Sequence, residues 1–376
     1  MYIPQTQLEN LKKIVRPGRV AILYGPRRVG KTTLLKQYLS SSSSRALFVN
    51  GDDIVARQYL ESQSIEKLRE FVGNQSLLVV DEAQYIHQIG LNLKLIVDHF
   101  PSIHVIATGS SSFELAKDVG EPLTGRKYVL KLLPLSQMEI SQIEAAHETK
   151  ARLESRLLYG SYPEVVLFSA NRDREDYLHE LISSYLFKDI LHLEGIRHAD
   201  KLRNLLQLLA FQIGKEVSHS ELGRQLSMSK NTIDRYLDLL EKVFVIYKRS
   251  GFSRNLRKEI SKNHRYYFLD NGIRNALINN FNPLTIRNDI GELWENYLIT
   301  ERMKKQEYLR RSVNSYFWRT YDQQEIDLIE ERQGNLYGFE MKWRAGRDSP
   351  PKKWMDAYPT AVFKVIHPDN YLKFIQ

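Results

Sequence analysis

The chain contains no cysteine. Disulfides, thiolate nucleophiles, iron–sulfur clusters and cysteine-based zinc sites are therefore excluded. No apolar run approaches the roughly 20 residues that a bilayer span requires. The opening Met1-Tyr2-Ile3-Pro4-Gln5 lacks the charged-then-apolar order of a secretory signal. These two absences predict a soluble, cytoplasmic protein with no membrane partner. None of the ten histidines stands in His-Glu-x-x-His, and Gly-x-Ser-x-Gly does not occur. Zinc-peptidase and serine-elbow chemistry therefore find no footing. The guanine-reading tetrapeptide Asn-Lys-x-Asp is missing as well.

What is present is a chain of 376 residues with 42% hydrophobic content. At roughly 150 residues per domain this is enough for two or three domains with real cores. Lys and Arg number 54 against 45 Asp and Glu, a net charge of +9. A basic balance favours a polyanionic partner.

Residues 19–132 alternate short apolar segments with helical ones. The strand candidates are Val20–Tyr24, Ala46–Val49, Leu77–Val80, Ile103–Ala107 and Tyr128–Leu132. Fully apolar strands separated by helices predict an α/β fold, a parallel sheet covered on both faces that binds ligands at its carboxyl ends. Gly25-Pro26-Arg27-Arg28-Val29-Gly30-Lys31-Thr32 follows the first strand and fits G-x-x-x-x-G-K-[ST]. Its backbone amides and the following helix N-terminus suit a phosphate. Lys31 would reach the β- and γ-phosphates and Thr32 would ligate Mg²⁺, with Thr33 beside it. With no guanine-reading motif, the expected nucleotide is ATP. The strand Leu77–Val80 delivers Asp81 toward the same Mg²⁺ and Glu82 as a general base for water. Thr108 or Ser110, after the next strand, could sense the γ-phosphate. Arg126, in Leu123-Thr124-Gly125-Arg126, is the candidate for a transition-state arginine.

Residues 135–213 read as a helical lid. Residues 214–280 resemble a winged helix-turn-helix, with Ser218–Leu226 and Asn231–Val243 as its helices. Ser229, Lys230, Asn231, Thr232 and Arg235 are placed to meet DNA, and the basic segment with Lys248, Arg249 and Arg254 would form the wing. Residues 201–275 hold fifteen Lys and Arg against seven Asp and Glu, which is most of the chain's excess. Duplex or branched DNA is the expected partner.

The last region, residues 281–376, opens on a helix and continues with strand candidates. Asp327 lies in Glu325-Ile326-Asp327, and Glu340 and Lys342 share a face of the alternating Leu336–Lys342. Two acids from neighbouring strands could hold Mg²⁺ while Lys342 activates water. Glu295, with Glu292 one turn before it, adds a third acid from the helix. The same pattern also fits salt-bridged acids with no metal.

Together the phosphate loop, Val80-Asp81-Glu82-Ala83 and Thr108-Gly109-Ser110-Ser111 resemble predicted prokaryotic ATPases of the AAA+ superfamily. So do Gly125-Arg126, Gly160-Ser161-Tyr162-Pro163-Glu164, Tyr267–Gly272, Trp294-Glu295-Asn296 and the Glu325-Ile326-Asp327/Glu340-Met341-Lys342 pair. That resemblance covers nearly the whole chain. It implies an AAA+-like P-loop ATPase domain (1–134), a helical lid (135–213), a winged helix-turn-helix (214–280) and a restriction-endonuclease-like, PD-(D/E)XK α/β domain (281–376). It implies Lys31 and Thr32 as nucleotide and Mg²⁺ ligands, Asp81 and Glu82 as the strand-end acids, and Glu295, Asp327, Glu340 and Lys342 as a nuclease-like set. Gln5 departs from it, standing where the family is expected to favour a basic residue. Homo-oligomers are common where an arginine completes a neighbour's site, and the sequence leaves that open. The functions compatible with all this are a DNA-binding ATPase with a metal-dependent nuclease domain, an ATP-dependent switch or scaffold with a catalytically silent C-terminal module, and a DNA-binding regulator in which nucleotide is structural.

Overall fold

The structure is a computed structural model that describes residues 2–110, 122–186, 199–252, 264–320, 322–346 and 349–376, with only the backbone of 185 and 186. It divides into two compact units: residues 2–134 with 242–244, and residues 135–241 with 245–376.

The first unit is built on five parallel strands: β1 (Val20–Tyr24), β2 (Ala46–Asn50), β3 (Leu77–Asp81), β4 (His104–Gly109) and β5 (Lys127–Lys131). Their order is β2-β3-β4-β1-β5. β1 and β3 are buried at every residue, as expected where helices cover both faces of a parallel sheet. Helices Lys31–Ser40, Ile54–Leu60, Ile65–Val72 and Ile89–His99 form the crossovers. Asp53 caps one of them, accepting from the amides of Val55 and Ala56 at 2.7 and 3.2 Å. β4 is inserted between β1 and β3, with Leu23 opposite Thr108 and Val80 opposite Ala107. The phosphate loop, Asp81 and Thr108 thus meet at one end of the sheet. Among the described residues no helix is long and apolar enough to cross a membrane.

The second unit begins with short helices from Gln137–Ile140 to Asn171–Glu180 and continues with Ala199–Phe211. A three-stranded antiparallel sheet follows, β6 (Glu216–Val217), β7 (Ile246–Ser250) and β8 (His264–Phe268), in the order β6-β8-β7. Helices His219–Leu226 and Lys230–Lys242 lie between β6 and β7 in sequence. They are joined tightly, because a Cβ on Gly223 would meet the Met228 carbonyl oxygen at 2.7 Å. Next come the helix Ile290–Tyr308, then β9 (Asn314–Arg319), β10 (Glu325–Arg332), β11 (Asn335–Met341), helix Lys352–Ala357 and β12 (Val362–Ile366). The sheet order is β12-β11-β10-β9, antiparallel except for β11 with β12. Trp318, Ile326, Ile329 and Trp354 form its core.

Several motif residues turn out to hold this unit together. Buried Asp270 accepts from the amides of Ser161, Gly272 and Ile273 at 2.7, 2.8 and 3.2 Å. Gly160 must be glycine, since a Cβ there would lie 1.9 Å from the Asp270 carboxylate. Asn296 takes the Phe268 amide at 2.8 Å and donates to the Phe268 carbonyl at 2.9 Å, tying the long helix to β8.

Candidate functional site

β1 ends at Tyr24 and the chain turns through Gly25–Gly30 into the helix Lys31–Ser40. A Cβ on Gly25 would sit 1.9 Å from the Leu132 carbonyl oxygen, so the loop's close approach to the neighbouring strand requires glycine. Gly30 has φ +96°, another position that suits glycine. Lys31 is buried, and its ammonium donates to the Gly25 and Pro26 carbonyls at 2.9 and 3.0 Å. That holds a positive charge over the loop. Arg27 donates to the Tyr85 hydroxyl, and Arg28 takes φ +65°. Gln5, the residue that replaces an expected base, donates to the Val29 carbonyl at 2.9 Å and buttresses the loop from outside.

Asp81 ends β3 with its carboxylate buried. It accepts from Thr32 Oγ1 at 2.6 Å and from Thr108 Oγ1 at 2.5 Å. The Thr108 hydroxyl in turn accepts from the Glu82 amide at 3.0 Å. Thr108 is thus engaged in bracing the two acids, leaving Ser110 as the sensor candidate of that pair. Glu82 adopts φ +50° and places Oε1 3.9 Å from the Lys31 ammonium. Gln84 Nε2 donates to Glu82 Oε2 at 2.5 Å and to Ser110 Oγ at 3.2 Å. Sequence reasoning missed Gln84; the only signal was its place two residues after the acid pair. Thr32 and Asp81 offer adjacent hard oxygens, a donor set that suits Mg²⁺.

Arg126 lies at the opposite end of the sheet. Its carbonyl accepts from the Val20 amide, at the start of β1, and its Nε donates to Asp98 at 2.6 Å. One five-residue strand, about 16 Å, separates it from the loop after Tyr24. It therefore cannot act on nucleotide bound by its own chain.

The acids of the second unit are gathered as expected, but around an arginine. Arg265, on β8, is buried with its Nη2 2.8 Å from Glu325 and its Nη1 3.7 Å from Glu295 and 3.9 Å from Asp327. Its guanidinium lies 4.6 Å from the centre of the Phe317 ring. Tyr267 donates to Glu295 at 2.7 Å, the Met341 amide to Asp327 at 2.7 Å, and Lys342 is 2.6 Å from Glu340. Burial raises the Glu295 carboxyl to about 7 against the pull of Arg265. Burial, then the neighbouring Glu295 and Glu340, raises Asp327 well above the usual carboxylate range. Arg265, Glu295, Glu325, Asp327 and Lys342 line a cleft of about 520 Å³ that Lys215, Glu292 and Arg319 also border. Among the described residues no group of three or more His, Asp or Glu is arranged to hold a metal ion. The residues do not fit the Mg²⁺ expected at Asp327 and Glu340.

Of the residues expected to meet DNA, Ser229, Lys230, Asn231 and Arg235 are exposed and Thr232 is half-buried. The Ser229 hydroxyl is used locally, accepting from the Thr232 amide at 3.1 Å. Lys248 is half-buried. Arg249 is not a surface cation: it is 3% exposed, and among the described residues its Nε and Nη1 have no hydrogen-bond partner. It was expected outside because a strand cation in a basic run ordinarily points to solvent. It faces inward, opposite Arg265 across the β7–β8 pair. Arg254 lies outside the described residues.

Residues 17–141 match a family described as AAA domain. Residues 150–284 and 290–366 match two families described as domains of unknown function. The first unit, a five-stranded parallel α/β sheet, is thus the part of the chain that matches the AAA domain family. The chain is similar to an uncharacterized protein of Mycobacterium tuberculosis, 27% identical over 337 residues that cover 88% of this chain and 72% of that one. It is similar to another of Haemophilus influenzae, 26% identical over 353 residues and covering 88% and 84%. Among solved structures it overlaps the Thermotoga maritima RuvB Holliday junction branch migration motor, with 15% identity, 65% of this chain, 89% of that one and a TM-score of 0.35. It also overlaps the replication initiator DnaA bound to AMPPCP and single-stranded DNA, with 13% identity, 64% of this chain, 90% of that one and a TM-score of 0.29. Overlaps this loose carry no argument about function.

Proposed function

We propose that the protein is an ATP-hydrolysing switch whose second unit binds DNA through a winged helix, with a C-terminal module that is catalytically silent. The observation that carries the ATPase reading is the chain of contacts Thr32–Asp81–Thr108–Glu82, which places two acids and a hydroxyl beside a glycine-bounded loop. In this reading the amides of the loop and the Lys31 ammonium hold the β- and γ-phosphates. Glu82 takes the proton of the attacking water as a bond forms to the γ-phosphorus and the bond to the β,γ-bridging oxygen breaks. Thr32 and Asp81 would hold Mg²⁺, which neutralises charge on the phosphate oxygens. Gln84 keeps Glu82 turned toward Lys31 and links it to Ser110. Arg126, at the far end of its own sheet, takes no part in this step at its own chain's site.

Glu82→Gln is the decisive variant. It should keep nucleotide binding while turnover falls by roughly 100-fold or more, in line with loss of a general base. Lys31→Ala should lose both. Turnover retained in either variant would remove this site from the reaction.

DNA binding is supported by the exposed Lys230, Asn231 and Arg235 at the start of the helix Lys230–Lys242. Duplex affinity should fall steeply with added salt. Affinity that ignores salt would contradict phosphate contact.

A further inference from the structure

We infer that the carboxylate cluster of the second unit takes the guanidinium of Arg265 as its resident cation in place of a divalent metal, and that this arginine locks β8 onto the C-terminal sheet. The inference is independent of the nucleotide site.

Four acids converge here from three elements: Glu295 from the helix Ile290–Tyr308, Glu325 and Asp327 from β10, and Glu340 from β11. A hard divalent cation would need several of their oxygens at roughly 2.0–2.6 Å. Arg265 already stands within 4 Å of three of the four. A metal ion between them would share its space with a second positive charge. Part of the remaining acceptor capacity is also engaged, by Tyr267 on Glu295, the Met341 amide on Asp327 and Lys342 on one oxygen of Glu340, whose other oxygen is buried with no hydrogen-bond partner among the described residues. The arginine is held in place rather than free to swing aside. It is 4% exposed, rests on the Phe317 ring and has buried Arg249 as its cross-strand neighbour. Behind Glu295, a Cβ on Gly214 would come within 3.2 Å of the carboxylate, so the wall of the cluster is tight. Arg265 is thus the cation contributed by one sheet to the acids of the helix Ile290–Tyr308 and of a second sheet. Breaking a buried pair by removing one partner is costly, because the other charge stays behind unpaired.

The test uses the full chain and Mn²⁺ as the probe. Mn²⁺ uptake by the wild type and by Asp327→Asn should coincide by titration calorimetry, because the cluster takes none in either. Arg265→Gln should lower the melting temperature by roughly 5–10 °C. It should also gain an added Mn²⁺ site, recover part of the lost stability in millimolar Mn²⁺, and lose that gain when Asp327→Asn is combined with it. The proposal is overturned if the wild type takes up Mn²⁺ at a site that Asp327→Asn removes, or nicks duplex DNA in Mn²⁺ by a route that Asp327→Asn abolishes. It is also overturned if Arg265→Gln melts with the wild type. Should Arg265→Gln fail to fold, the comparison of wild type with Asp327→Asn still decides the metal question.

Discussion

Replacing Thr108 by valine removes one hydroxyl from the bracing of Asp81 and Glu82 and leaves the side chain's shape almost unchanged. Thr108 is completely buried. Its hydroxyl donates to Asp81 at 2.5 Å and accepts from the Glu82 amide at 3.0 Å. The bond to a charged carboxylate contributes about 1.5–3 kcal/mol, and leaving the amide unpaired in a dry site costs about 1–3 kcal/mol more. If half of that loss, about 2 kcal/mol, is felt where Asp81 and Glu82 must be placed for reaction, turnover falls by roughly 30-fold. The phosphate loop does not touch Thr108 in any contact described above, so nucleotide binding should change less than about threefold. The assay pairs steady-state ATP hydrolysis with binding of a fluorescent ATP analogue. Thr108→Ser restores the hydroxyl and should return most of the rate. A folded Thr108→Val protein with wild-type turnover would refute the claim that this side chain braces the acids.

Gly25→Ala places a Cβ 1.9 Å from the Leu132 carbonyl, so nucleotide binding should drop below detection in the fluorescent assay. Asp270→Ala leaves three buried amides without an acceptor and should lower stability to urea by about 3–5 kcal/mol. His264 is pushed from 6.5 down to about 4, first by burial and then by Lys248 and His219, against the pull of Asp234. The unfolded chain takes that proton below pH 6.5 while the folded chain refuses it until about 4. The contribution is therefore complete above pH 6.5 and is lost as pH falls toward 4. After allowance for its half-exposed ring the loss is on the order of 2 kcal/mol, and chemical denaturation across that range should show it flattened in His264→Phe.

The phosphate loop was legible because everything it needs is local: two glycines, a lysine and a threonine at fixed spacing between an apolar strand and a helix. Asp81 was legible for the same reason, as the first polar residue after four apolar ones. The role of Thr108 was not. Sequence places it after a strand and marks it as a possible sensor, but only the insertion of β4 between β1 and β3 sets its hydroxyl against Asp81. Arg126 fails for another reason. It directly precedes the strand candidate Tyr128–Leu132, which in a parallel sheet is the amino end, away from bound ligands, and the register of β5 with β1 puts it there.

Charge counting met a different limit, because it records valence and ignores partners. Of the fifteen cations in residues 201–275, Arg249, Arg265 and Arg274 are each less than 5% exposed. Arg274 is committed to Asp289 at 2.6 Å and Arg265 to the acids of the helix and β10. These three charges cannot neutralise phosphates at the surface, so the field a polyanion meets is weaker than the segment's excess suggests. The slope of log affinity against log salt for duplex DNA changes by close to one for each phosphate contact. Lys230→Ala and Arg235→Ala should each reduce that slope by about one. A charge-neutral swap at Arg274 should leave it unchanged while lowering stability. A slope that answered to Arg274 and ignored Lys230 would place the binding surface elsewhere.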